Sequence, residues 1–99
     1  MSNSVFQSVI LQLKEVTDRT FGVLDMDGCV VSCTDVSLIG ERWTDAVVKV
    51  INSTESIVTF GQRSFKAITT GSNFLEYVVF CSGADEFART CCTMALKLL

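Results

Sequence analysis

The sequence predicts an α+β domain: a five-stranded antiparallel sheet with helices packed on it, in the order α-β-β-α-β-β-β-α. Three observations lead there. Residues 21–33, FGVLDMDGCVVSC, set two apolar runs either side of Asp27-Gly28, the dipeptide that most readily supplies the positive φ of a tight hairpin turn. Apolar residues recur at helical spacing in three other stretches. Residues 74–81 form a nearly continuous apolar run broken only by Glu76, as expected of a central strand covered on both faces.

Taken in order, the first helix is expected over residues 4–18. Ser4 and Gln7 have the spacing of a capping box, and Val5, Phe6, Val9, Ile10, Leu13 and Val16 make one apolar stripe. The hairpin follows, with strands from Thr20 to Asp25 and from Cys29 to Thr34. Simple alternation would put Cys29, Val31 and Cys33 on one face of the second strand, with Val30 and Ser32 on the other. A second helix from Glu41 to Ile51 would bury Trp43, Ala46, Val47, Val50 and Ile51. Strands are then expected from Ser56 to Phe60 and from Arg63 to Thr69 about a Gly61-Gln62 turn, and from Phe74 to Cys81. Residues 82–85 should cap a last helix whose buried side carries Ala84, Phe87, Ala88, Cys91, Cys92, Ala95 and Leu98 or Leu99. That helix runs to the final residue without a stop signal. The expectation is therefore a single domain over residues 1–99, excised from the N-terminal part of a longer polypeptide.

Composition narrows the function. At 99 residues and 48% apolar content there is one core, and disorder is not expected. A net charge of −3, with eight Lys and Arg spread along the chain, gives no electrostatic footprint for nucleic acid. The sequence has no His, which excludes Ser-His-Asp and Cys-His catalysis and removes the commonest general base. No Gly-rich phosphate loop is present, so an enzyme is not expected and no cofactor is called for. The opening residues do not form a signal peptide, and no apolar run reaches the ~20 residues that span a bilayer. Five cysteines among apolar neighbours fit free thiols in a reducing cytoplasm, with no membrane partner.

Two clusters invite a metal reading and fail it. Asp25 and Asp27 lack the further oxygen ligands and terminal Glu of a calcium loop, so they are expected to bond their own turn backbone. Cys29 and Cys33 would stand ~13 Å apart along an extended strand. Cys91 and Cys92 diverge by about 100° on a helix. These thiols are expected to pack as small apolar groups.

The element order resembles the profilin-like architectures, including PAS-type, GAF-like and roadblock-type domains. Residues 24–50, LDMDGCVVSCTDVSLIGERWTDAVVKV, resemble the opening of the sugar-diacid recognition domain of carbohydrate diacid regulators, on Asp25, Gly28, Ser32, Ile39-Gly40 and the helix holding Ala46. The stretch FLEYVVFCSGADEFA is similar to the sensor domains of the related PucR-type helix-turn-helix regulators. Leu38, Trp43 and Asp45 stand where the diacid family has Arg and a His-x-Gly-Ala segment. The resemblance implies a ligand-sensing and dimerising domain of a transcription regulator, touching DNA only through a domain outside this chain. In PAS-like folds the second helix and the loop before it close over one sheet face. Ser32, Thr34, Arg42, Trp43, Phe65, Lys66 and Tyr77 are the candidate ligand-binding residues, with Phe60 beside them and Arg42, Arg63 or Lys66 as carboxylate contacts. A homodimer is expected through Val5, Phe6, Val9, Ile10 and Leu13 of the first helix and Phe87, Cys91, Met94 and Leu98 of the last. The alternative is a roadblock-type interaction scaffold, which predicts no cavity.

Overall fold

In the computed structural model the elements are α1 (Asn3–Lys14), β1 (Phe21–Asp25), β2 (Val30–Cys33), α2 (Thr44–Ile51), β3 (Val58–Phe60), β4 (Arg63–Thr69), β5 (Leu75–Ser82) and α3 (Glu86–Leu98). One 3₁₀ turn spans Val36–Leu38. The structure describes residues 3–15, 18–69 and 75–98, with side chains at 7–8, 10–15, 18–68 and 77–93. The strands form one antiparallel sheet in the order β2-β1-β5-β4-β3. The α+β class and the element order are those the sequence predicts, and β5 is central.

Strand side chains alternate, so neighbouring apolar residues feed two separate cores. Phe21, Val23, Val79 and Cys81 face α1 and α3, which contribute Ile10, Leu13, Ala88, Cys91 and Cys92. Leu24, Phe65, Val78 and Phe80 face α2, which contributes Ala46 and Val47. Three layers result. Phe21, Phe65 and Phe80 are the largest fully buried side chains, and each such burial is worth about 1.5–3 kcal/mol.

Several expectations are corrected. In β2 the register slips, with Val23 opposite Ser32 but Leu24 opposite Val30. The bulge at Val31 breaks strict alternation: Val30 and Cys33 share the α2 face, and Val31 packs toward α1 and α3. α1 ends at Lys14 rather than residue 18, closing on a tight bond from Glu15 N–H to Gln12 O at 3.2 Å. α2 starts at Thr44 rather than Glu41, because backbone bonds hold residues 40–43 beside the hairpin. There Gly40 N–H donates to Val30 O (2.9 Å), Val30 N–H to Glu41 O (2.9 Å) and Trp43 N–H to Gly28 O (2.7 Å). β3 begins at Val58 rather than Ser56, since Glu55 N–H bonds back to Ser53 Oγ at 3.0 Å and keeps the chain turning. α2 meets the sheet along Ala46, Val47 and Val50, and Ile51 at its end is exposed. Ala84 and Phe87 are exposed as well, Phe87 lying under the Arg19 guanidinium at 4.9 Å.

Gln7 does not complete a capping box. Its amide spans to β2, donating to Cys33 O at 3.1 Å and accepting from Cys33 N–H at 3.2 Å. Together with residues 40–42 it covers the outer edge of β2, which would otherwise offer unpaired backbone to another strand. The Ser4 side chain, Phe74 as a strand start, and Ala95, Leu98 and Leu99 as core residues lie outside the described residues. Of the expected dimer contacts, Ile10, Leu13 and Cys91 are buried against the sheet. Val5, Phe6, Val9, Met94 and Leu98 lie outside the described side chains.

Candidate functional site

The site is organised by two glycines on the hairpin. Gly28, at φ +84°, closes the loop between β1 and β2 with its N–H on Asp25 O at 3.0 Å. A Cβ there would lie 2.8 Å from Thr44 N and from the Trp43 carbonyl carbon, so glycine also lets the start of α2 press against the turn. Of the acidic pair, the Asp25 carboxylate bonds the turn backbone as expected. Asp25 Oδ1 accepts from Asp27 N–H at 2.9 Å and Cys29 N–H at 3.0 Å. Cys29 and Arg42 then pair as an isolated antiparallel bridge, which places Arg42 and Trp43 at the mouth of a cleft.

Gly22 acts from beneath. The Phe80 ring lies on its bare backbone, where an added Cβ would come within 2.2 Å of Phe80 Cζ. Trp43 meets Phe80 edge-on at 4.7 Å between centroids, and Phe65 flanks Phe80 at 6.3 Å. The Arg63 guanidinium lies over the Trp43 ring at 4.2 Å, and Trp43 Nε1 donates to Glu41 Oε1 at 3.0 Å. A stack therefore climbs from the β1 backbone through Phe80 and Trp43 to a cation.

These residues wall a cleft of about 380 Å³ between the start of α2 and the β3–β4 turn. Arg42, Trp43, Thr44, Asp45 and Ala46 form one side, and Phe60, Gly61, Arg63 and Phe65 the other. The α2 N-terminus has no side-chain cap at Trp43, so its dipole adds positive potential here. Among the described residues the ion pair is Arg19–Asp85, remote in sequence from the cleft, and neither guanidinium of the cleft pairs with Asp45.

Of the seven candidate binding residues, Arg42, Trp43 and Phe65 come together in the cleft, with Phe60 and Arg63. Four are elsewhere. Ser32 is buried opposite Val23, toward α1 and α3. Thr34 is half-buried at the end of β2, where its Oγ1 accepts from Phe21 N–H at 3.1 Å. Lys66 is paired with Val79 and faces α3, and Tyr77 packs against the α1–α3 core. Thr44, Asp45, Ala46 and Gly61 were missed as lining residues. Starting α2 three residues early hides the fact that its first turn opens onto the cleft.

Cys33, Cys81, Cys91 and Cys92 offer little reactivity. All five are free, and burial pushes the Cys81 and Cys92 thiols up to about 12 and raises Cys33 and Cys91. Such thiols stay protonated and pack as apolar groups. No three Cys, Asp or Glu side chains among the described residues are grouped to hold a metal ion. No described helix is long and apolar enough to cross a membrane.

No protein-family model matches the chain, and no curated protein sequence does. Among solved structures it is similar to the E. coli DcuS sensor domain, with a TM-score of 0.59 and 21% identity over 92% of this chain and 71% of that one. It is also similar to an extracellular ligand binding receptor from Desulfohalobium retbaense, with a TM-score of 0.54 and 17% identity over 78% of this chain and 14% of that one. At these identities the likeness is one of fold: both carry the sheet-and-helix arrangement described above.

Proposed function

We propose that this chain is a non-catalytic sensor domain that binds a small metabolite in the cleft between α2 and the sheet. The carrying observation is the cleft itself. Its volume, about 380 Å³, lies in the range of small-molecule sites, and aromatic walls and uncommitted charges meet there. A scaffold module would instead have this space filled. The two structural neighbours, named as a sensor domain and a ligand binding receptor, support the same reading. The sequence resemblance extends it to a PucR-type or carbohydrate-diacid-type regulator, in which ligand state is relayed to a helix-turn-helix elsewhere in the polypeptide. Five free thiols favour a reducing cytoplasm as the compartment. Dimerisation through the terminal helices belongs to the same proposal, with Leu11 and Phe87 as exposed apolar contacts. Sedimentation at high micromolar concentration is expected to give a dimer, and a monomer would remove that part.

The cleft is tested with Trp43, the chain's single tryptophan. Its emission is followed while amino acids, mono- and dicarboxylates and purine breakdown products are titrated. A saturable change that Arg63→Gln weakens at least tenfold is expected. If no compound gives one, or if the one that does is indifferent to Arg63, the cleft is not the sensing site.

A further inference from the structure

Resting on that reading, we propose that the cleft recognises a zwitterion, an α-amino acid with an apolar side chain, rather than a simple anion. Its lining carries both signs of charge. Arg42 and Arg63 stand on it with Asp45, yet no ion pair joins either arginine to the aspartate. Arg63 is stacked on Trp43, which orients its planar fork without using its hydrogen-bond donors on a carboxylate. Two other charges lie nearby. Glu41 is engaged by the Trp43 indole N–H, and the Lys49 ammonium sits over the Phe60 ring at 5.7 Å. Asp45 is therefore the one lining carboxylate, and it has no cation of its own among the described residues.

A ligand bearing only carboxylates would find the guanidiniums but would also bring its charge against Asp45. A ligand whose ammonium lies one carbon from its carboxylate satisfies both: the carboxylate meets Arg63 and Arg42, and the ammonium meets Asp45. Phe60, Phe65 and Trp43 supply an apolar slot for the side chain. An analogue lacking one charged group leaves the opposing protein charge without its partner and loses that contact's share of the affinity.

The test takes the tightest amino acid found by titrating Trp43 emission with the twenty L-amino acids. It is compared with its deaminated carboxylate, its decarboxylated amine and succinate (for phenylalanine, these analogues are 3-phenylpropanoate and 2-phenylethylamine). The amino acid is expected to bind at least tenfold more tightly than any of the three. Asp45→Asn should erase its advantage over the deaminated analogue, and Asp45→Glu should restore part of it. Far-UV circular dichroism checks that both variants fold. If the deaminated acid or succinate binds as tightly as the amino acid, the zwitterion assignment falls while the cleft remains the site. If none of the amino acids, carboxylates or purine breakdown products perturbs Trp43, both readings fall together.

Discussion

Gln62 holds a left-handed backbone, φ 63°, directly after Gly61 at φ 58° in the two-residue turn between β3 and β4. Positive φ at both loop positions matches the twist of the paired strands, but it costs a residue with a Cβ roughly 1–2 kcal/mol. Gln62→Gly removes that strain at the price of some unfolded-state entropy. The expected net gain is about 0.5–1 kcal/mol, raising the melting temperature by about 2–8 °C. Gly22 makes the opposite case. A methyl group there meets the Phe80 ring and also the Ser32 carbonyl oxygen at 2.7 Å, which belongs to backbone and yields little. Gly22→Ala is expected to cost about 1–3 kcal/mol by overpacking. Because Trp43 rests on Phe80, its emission should shift in the folded variant as well, which a purely local defect in β1 would not cause.

At the scale of elements, α3 is tied to the sheet by one charged clamp. Arg19 donates from Nη1 and Nη2 to the two Asp85 carboxylate oxygens at 2.9 and 2.7 Å, and from Nη1 to Ser82 O at 3.0 Å. Asp85 Oδ1 also accepts from Ala88 N–H at 3.1 Å, capping the helix. The Arg19 hydrogen bond, then the Ala88 N–H, hold the Asp85 carboxyl below its usual range. A carboxyl depressed in the folded state stabilises the fold above its unfolded value, about 3.9, and that contribution is lost as pH falls through the lower folded value. Wild type should therefore melt above Asp85→Asn at neutral pH, and the two curves should converge in acid. A gap that persisted in acid, or widened with added salt, would contradict this account of an exposed pair. The N-cap was legible in the sequence because Asp85 stands at the start of an apolar helical period. The clamp was not, since Arg19 lies 66 positions away and nothing local marks it. The same distinction runs through the rest of the chain. Strands β4 and β5 and the Gly61-Gln62 turn follow from local pattern, whereas the Val31 bulge and the start of α2 are set by tertiary backbone bonds. Gly28 announced a turn, and its second role against Thr44 had no sequence signal at all. Thr44, Asp45 and Ala46 were hidden by that one displaced helix start, while Arg42, Trp43 and Phe65 were found because charge and aromatic character are visible in the letters themselves.

Across the whole molecule, the cleft lies between the start of α2 and the sheet. α2 rests on the sheet through Ala46 and Val47, and its approach is set by the Gly28 turn and by the three bonds from residues 40–43 to the hairpin. A ligand bridging Asp45 on α2 to Arg63 on β4 therefore joins two layers rather than decorating one. Binding only the folded state, it must raise stability by mass action. At one hundred times its dissociation constant the gain is about 2.7 kcal/mol, or about 10–20 °C in the melting temperature of a domain this small. Gly28→Val should weaken that response more than it weakens the fold. It drives side-chain atoms into Trp43 and Thr44 and displaces one wall, while the α1–α3 core on the opposite face is untouched. The measurement is a pair of thermal melts, with and without saturating ligand, on each protein. A variant that keeps the full ligand-induced shift would show that the α2 wall takes no part in binding.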